Sequence, residues 1–235
     1  NRVAIGARFN DGNGIDAGHV RIYEWTGSNW IQLGADIDGE ASRDFFGSTV
    51  SISSDGKRVA IGAANNTGNG NSAGHVRIYE WTGSTWVQLG ADIDSEAAGD
   101  ESGFSVSISS EGNRVAIGAP GNDGNGNYSG HVRIYEWTVS NWVQLGADID
   151  GEAAGDESGE SVSISSDGNR VAIGAPYNDG NGNYSGHVRI YEWTGSNWKQ
   201  MGTDIDGEAI DDRSGTSVSM SSDGNRVAIG APNND

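Results

Sequence analysis

The sequence predicts an all-β protein assembled from serial four-stranded antiparallel units of 56 residues. Three observations predict it. The string Arg-Val-Ala-Ile-Gly begins at Arg2, Arg58, Arg114, Arg170 and Arg226, a constant spacing of 56. The string His-Val-Arg-Ile-Tyr-Glu-Trp recurs at His19, His75, His131 and His187, with no insertion or deletion between copies. Within these strings apolar residues alternate with small or polar ones, which is the period of a strand, and no useful length carries a helical period. A repeat this short is a structural unit rather than a domain, because it cannot bury both faces of its own sheet. The expected divisions of this single array are a partial copy over 1–46, full copies over 47–102, 103–158 and 159–214, and a partial copy over 215–235.

In the copy at 159–214 the elements follow in order. Strand one is expected over 161–165. The pair Asp167-Gly168 then makes a hairpin turn, since glycine accepts positive φ, and leads into strand two over 170–174. A polar loop over 178–186 precedes strand three over 187–193. A second tight turn over 194–197 leads to strand four, from 198 to about 204. Val162, Ile164, Val171 and Ile173 share a bulky face, whereas Ser161, Ser163 and Ala172 share a small one. Sheets stacked large against small reach interior packing density. Four-stranded meanders stacked in series are blades, so the expected architecture is a β-propeller or an open, superhelical propeller-like array.

The charge narrows the partners. There are 33 acidic residues against 14 basic ones, a net charge of −19. Such a surface repels phosphate backbones and anionic lipid and attracts divalent cations. Nucleic acid is therefore excluded as a partner, and no apolar run is long enough for membrane insertion. The chain has no cysteine, which removes disulfides and thiolate metal sites. It opens at Asn1 and shows no leader segment, as expected of a mature product or a window of a longer array.

Two segments per copy are rich in oxygen ligands. The first places carboxylates at loop positions 1, 3, 5 and 9: Asp36, Asp38, Glu40, Asp44; Asp92, Asp94, Glu96, Asp100; Asp148, Asp150, Glu152, Asp156; and Asp204, Asp206, Glu208, Asp212. That spacing can wrap a calcium ion, although an EF-hand's Gly at position 6 and Glu at position 12 are missing. The competing reading is a solvated acidic loop. The second segment offers Asp11 and Asn13; Asp123, Asn125 and Asn127; and Asp179, Asn181 and Asn183 as a second metal loop. The plainer reading there is a glycine-rich turn with Asn and Asp in left-handed conformations. The loops after strands two and four leave a meander on the same edge, so the two segments are expected together.

Two Trp bracket each last hairpin, as Trp193 and Trp198 do. Packing across the hairpin or between blades explains them, and stacking on a sugar ring is the alternative. The single His of each copy reads as structural. Asn65, Asn127 and Asn183 begin N-glycosylation sequons. No nucleophile–base pair stands out: every candidate acid, His and Ser recurs in all copies, and departures such as Arg8-Phe9, Phe45-Phe46, Lys57 and Lys199 read as scattered. The chain is therefore expected not to be an enzyme.

Phe46-Gly47 before strand one, and Gly118-Ala119-Pro120, Gly174-Ala175-Pro176 and Gly230-Ala231-Pro232 after strand two, resemble the FG-GAP repeats of integrin-type β-propellers. The resemblance covers essentially the whole chain. It is closest to the bacterial and algal branch with Asp-Ile-Asp-Gly-Glu-Ala and Asn-Asp-Gly-Asn-Gly segments. Departures are Ser102, Ser158 and Ser214 where Phe46 stands, and a short hairpin, such as Ser54-Asp55-Gly56-Lys57, where integrin-type blades often carry their calcium loop. The resemblance implies a secreted or surface protein. Three functions follow as expectations: an extracellular structural or self-assembling array, stabilised by Ca2+ and joined end to end with its own kind or with further repeats; a ligand-binding propeller for glycan or protein; and, as the enzyme alternative, a glycan-active domain.

Overall fold

A computed structural model describes residues 1–234, and among them strands are the regular elements, with no helix. Five antiparallel sheets follow one another along the chain. The first holds β1 (Arg2–Ala7), β2 (His19–Trp25), β3 (Trp30–Gln32) and β4 (Ile37–Asp38). The second holds β5 (Thr49–Ile52), β6 (Arg58–Ala63), β7 (His75–Trp81), β8 (Trp86–Gln88) and β9 (Ile93–Asp94). The third repeats it as β10 (Ser105–Ile108), β11 (Arg114–Ala119), β12 (His131–Trp137), β13 (Trp142–Gln144) and β14 (Ile149–Asp150). The fourth comprises β15 (Ser161–Ile164), β16 (Arg170–Ala175), β17 (His187–Trp193), β18 (Trp198–Gln200) and β19 (Ile205–Asp206). The fifth is the pair β20 (Ser217–Met220) and β21 (Val227–Gly230). Among the described residues no strand of the first sheet pairs with one of the fifth, so the array is open and propeller-like rather than a closed barrel.

One strand departs from expectation. Strand four is broken: β18 and β19 both pair with β17, on either side of a non-strand stretch at 201–204 whose Met201 N–H still donates to the Ile190 carbonyl. The same break recurs in the other full sheets.

The register places the predicted faces. Val162 lies opposite Ile173 and Ile164 opposite Val171, so the bulky side chains share a face, while Ser163 lies opposite Ala172 on the other. That bulky face joins one buried cluster with Ala116, Val132, Ile134 and Tyr191. The small face lets the next sheet come close. Ser107 Oγ accepts the Ile164 N–H at 3.1 Å, and Ser161 Oγ donates to the Gly215 carbonyl at 2.7 Å. Serine is useful here because an aliphatic side chain of that size would leave backbone groups without partners.

The same bonds recur at successive sheet boundaries. The Ser54, Ser110 and Ser166 N–H groups donate to the carbonyls of Ser110, Ser166 and Ser222. Arg58, Arg114 and Arg170 each reach the hairpin carbonyl of the next copy, at Gly112, Gly168 and Gly224. Trp86, Trp142 and Trp198 donate their indole N–H to the preceding sheet, at the carbonyls of Leu33, Leu89 and Leu145.

Candidate functional site

The two oxygen-rich loops of each copy meet at one edge. Asn125 Nδ2 donates to the carbonyls of Gly151 at 2.8 Å and Glu152 at 3.0 Å, and Asn181 does the same to Gly207 and Glu208. Asn13 and Asn69 make the equivalent single bonds to Gly39 and Ser95.

The carboxylates at positions 1, 3, 5 and 9 are not drawn to one point. The acid at position 1 stays within its own sheet. Asp36 takes two bonds from Arg21 and one from Gln32, which together hold its carboxyl down at about 2. Burial raises the Asp92 carboxyl, but bonds from Arg77 and Gln88 outweigh it and leave the group lowered. Asp148 and Asp204 accept from Gln144 and Gln200 and lie 3.9 and 3.8 Å from the ring nitrogens of His131 and His187.

Position 3 (Asp38, Asp94, Asp150, Asp206) faces solvent. At position 5, Glu40, Glu96 and Glu152 cross to the next sheet and pair with Arg77, Arg133 and Arg189, whereas Glu208 remains exposed. Position 9 is buried and holds the loop together. Asp100 accepts from the Ala97 N–H, from Ser95 Oγ and, from the next copy, from Asn122 Nδ2 at 3.2 Å. Asp156 and Asp212 accept likewise from Asn178 and Asn234, and Asp44 accepts from the Ala41 N–H.

A different grouping emerges from this folding. His19, Asp36 and Asp38; Glu40, His75 and Asp92; Glu96, His131 and Asp148; and Glu152, His187 and Asp204 each bring ligand atoms close enough to hold a metal ion. Three of the four combine a glutamate from one copy with a His and Asp from the next. The charge of these groups is already met in part by arginine: Arg77 Nη2 contacts both Glu40 and Asp92. A cation there competes with a guanidinium for the same oxygens.

Each His opens strand three beneath this cluster. Burial, followed by the neighbouring Arg77, pushes the His75 pKa below its usual 6.5, against the opposite pull of Asp92, Glu40 and Asp44. His131 and His187 are lowered for the same first reason. A base whose folded pKa is depressed is neutral in the native state and takes up a proton on unfolding, so stability falls as pH drops below 6.5. Glu101, Glu157 and Glu160 contribute with the opposite sign. Burial pushes all three up, Glu160 to about 7, so their contribution to instability grows as pH rises above 4.5. Melting temperatures in a background with all three replaced by Gln should therefore fall on acidification below 6.5; a flat profile there would show that the buried imidazoles titrate alike in both states.

The second segment is a capped turn. Asp123 and Asp179 Oδ1 accept the N–H groups of Tyr128 and Tyr184, and Asn122 and Asn178 Oδ1 accept those of Gly124 and Gly180. The left-handed conformations fall on Tyr128, Tyr184, Asp16 and Ser72 and on glycines, rather than on the repeated Asn and Asp. Asn127 and Asn183 are exposed, and Asn65 is half-buried.

The Trp pairs pack at ring separations of 5.3–5.5 Å. In the second, third and fourth sheets the second Trp of each pair commits its indole nitrogen to the preceding sheet.

Lys57 and Lys199 stand apart from the other departures, but several of these gather in space. Copies differ at four neighbouring places: Phe9, Asn65, Gly121, Tyr177 and Asn233; Asp16, Ser72, Tyr128 and Tyr184; Phe45, Glu101, Glu157 and Arg213; and Ser48, Phe104, Glu160 and Thr216. They come together on the edge that carries the two loops. Phe9 meets Phe45 edge-on at 5.6 Å, with Arg8 over the Phe9 ring. Tyr177 meets Tyr184 edge-on at 5.6 Å, and the Arg213 guanidinium lies 5.2 Å from the Tyr177 ring centre. Between the last two full copies this rim encloses a groove of about 530 Å³ that includes Tyr128, Glu157, Tyr177, Tyr184 and Arg213. Comparing the copies column by column, rather than reading along the chain, would have revealed it.

Residues 94–135 and 148–191 match the FG-GAP repeat. No curated protein matches the sequence. Among solved structures, the fold is similar to that of a protein from Bacteroides uniformis described as a 6-phosphogluconolactonase, with a TM-score of 0.62 and 12% identity over 97% of this chain and 60% of that one. It is also similar to Kuenenia stuttgartiensis hydrazine synthase, with a TM-score of 0.57 and 17% identity over 91% of this chain and 55% of that one. At such identities the likeness concerns the fold alone, and this chain spans less than two thirds of either protein's length. The two matched segments span parts of successive copies, and the remaining copies share their strings and their sheets, so the family match supports an FG-GAP-type repeat.

Proposed function

We propose that the protein is a non-catalytic extracellular repeat scaffold, a surface or fibre component whose blades stack in series and continue end to end onto copies of the same material. The observation that carries this reading is the recurrence of one bond set at successive sheet boundaries, which can be made between chains as it is between copies. Ile5 on the first sheet is 51% exposed, whereas its equivalents Ile61, Ile117 and Ile173 are buried between sheets. An exposed bulky face of this kind associates. Sedimentation velocity should show species that grow with concentration, and Ile5→Asp should shift them towards the monomer. A wild-type chain that stays monomeric at every concentration overturns the reading.

Calcium is part of the proposal, at the regrouped carboxylates. Because Arg77 competes for the oxygens of Glu40 and Asp92, binding should be weak, at the roughly 10⁻⁴–10⁻³ M level of extracellular modules. Arg77→Gln leaves those two carboxylates facing each other beside His75. It should cost about 2 kcal/mol, a value reduced for the partial exposure of both acids. Millimolar calcium should restore most of that loss while raising the wild-type melting temperature only slightly. If calcium fails to restore the variant, the cluster is an ion-pair network and nothing more.

A further inference from the structure

The rim groove is where several variable positions of this repeat array meet. Boundary bonds recur from copy to copy, while side chains at the rim change in size, aromaticity and charge. A scaffold requirement would act on every copy alike. Substitutions gathered at this edge leave the boundary bonds in place and alter what the edge presents.

Between the last two full copies the rim has a definite chemistry. Tyr128 and Tyr184 stand 50% and 41% exposed at the groove, which leaves ring surface available to a ligand. Arg213 has no ion-pair partner among the described residues, and its buried Nε has no hydrogen-bond partner. Its guanidinium lies over Tyr177, which fixes where its donors point. Asn127, Asn183, Asp179 and Glu157 supply amide and carboxylate groups around the same space. Small-molecule sites span about 300–1,000 Å³, and this groove falls within that range.

We infer that this groove binds a neutral oligosaccharide, with pyranose rings stacked on Tyr128 and Tyr184 and hydroxyls shared between Arg213 and the amides and carboxylates opposite. Charge selects that class. An anion would meet Glu157 and Asp179, and a cation would meet Arg213. A hydroxyl-rich neutral ligand both donates and accepts, so it satisfies both sets. The available ring surface suits the C–H face of a sugar ring, and the polar surround disfavours a purely apolar ligand. The inference goes beyond the scaffold reading, since a groove of this kind works in a monomer and in a stacked array alike.

The copies themselves supply variants that the backbone accepts. Tyr184 has φ 54°, and Ser72 holds the equivalent position at φ 48°. Arg213 has φ 53°, and Glu101 holds its position at φ 57°. Tyr177 corresponds to Asn65. The substitutions Tyr184→Ser, Arg213→Glu and Tyr177→Asn thus rebuild this rim as that of the second copy without asking for a new backbone conformation. Isothermal titration of the full chain with maltohexaose, cellohexaose, mannohexaose and xylohexaose should find at least one binder. Each substitution should weaken that binder at least tenfold, with an unchanged melting temperature, while Trp25→Ala leaves it unaffected. The inference is overturned if none of the four binds at millimolar concentration. It is also overturned if Trp25→Ala abolishes binding while the rim variants keep it.

Discussion

Gly118→Ala should be among the most damaging single-atom-scale changes in this protein, costing about 3 kcal/mol or more. The reason is distance rather than backbone conformation. A Cβ at Gly118 would sit 2.0 Å from the Gly159 carbonyl oxygen and 2.4 Å from Ser105 Oγ. Neither neighbour is the free end of a flexible chain. The Gly159 carbonyl accepts the Ser105 hydroxyl at 2.7 Å, and the Gly159 N–H donates to the Gly174 carbonyl at 3.0 Å. A methyl group must therefore push the third and fourth sheets apart at the point where their backbones touch. Gly155→Ala is the matched control. Its φ of +87° is costly for an L-residue, by about 1 kcal/mol, but a Cβ there meets nothing within 4 Å. The chain already holds Arg43 and Asp211 at the corresponding position, at φ of 68° and 64°. Denaturant melts of the two variants separate the mechanisms. Equal, small losses would show that the sheets have room to slide.

The contrast also shows what could be read from the sequence. The strands were legible, since Val162, Ile164, Val171 and Ile173 alternate with small residues, and alternation requires a two-faced element. The break in strand four was not: residues 201–204 carry no pattern that distinguishes a gap from a strand continuing with weaker alternation. For the acidic loop, spacing reports distance along the chain, whereas the partners lie elsewhere. Asp36 meets Arg21 across the sheet, and Glu40 meets Arg77 of the next copy. Asp100 is buried as a loop pin, with an Asn of the following copy completing it, which no local motif could announce. The rim was hidden for a similar reason. Tyr177 and Arg213 are far apart in sequence and adjacent only because the loops after strands two and four share an edge. An array of near-identical copies makes packing easy to infer from any one of them, but differences between copies carry the functional information.

Trp86→Ala should cost about 3–5 kcal/mol, as buried aromatic truncations do, and the same substitution at Trp30 should cost about 1 kcal/mol. The two residues are equivalent in sequence and hairpin geometry, each paired with its partner Trp at 5.3–5.5 Å. What differs is the neighbouring sheet. Trp86 is 9% exposed, packs into the cluster containing Val59, Ile61 and Leu33, and donates Nε1–H to the Leu33 carbonyl at 2.8 Å. Trp30 has no preceding sheet and is 52% exposed. Subtracting the Trp30 effect from the Trp86 effect therefore removes the hairpin contribution and leaves the boundary contribution, the quantity that sets how firmly blades adhere. Trp86→Phe divides it further. It keeps the stacked pair and most of the apolar contact while losing the bond to Leu33, so it should cost about 1 kcal/mol. Equal losses at Trp30 and Trp86 would confine the tryptophans to their own hairpins and leave the serine and arginine bonds as the adhesive between sheets. A large difference would mean that a free end face carrying Trp25 and Trp30 lacks several kcal/mol of available packing, which is the driving force that end-to-end assembly requires.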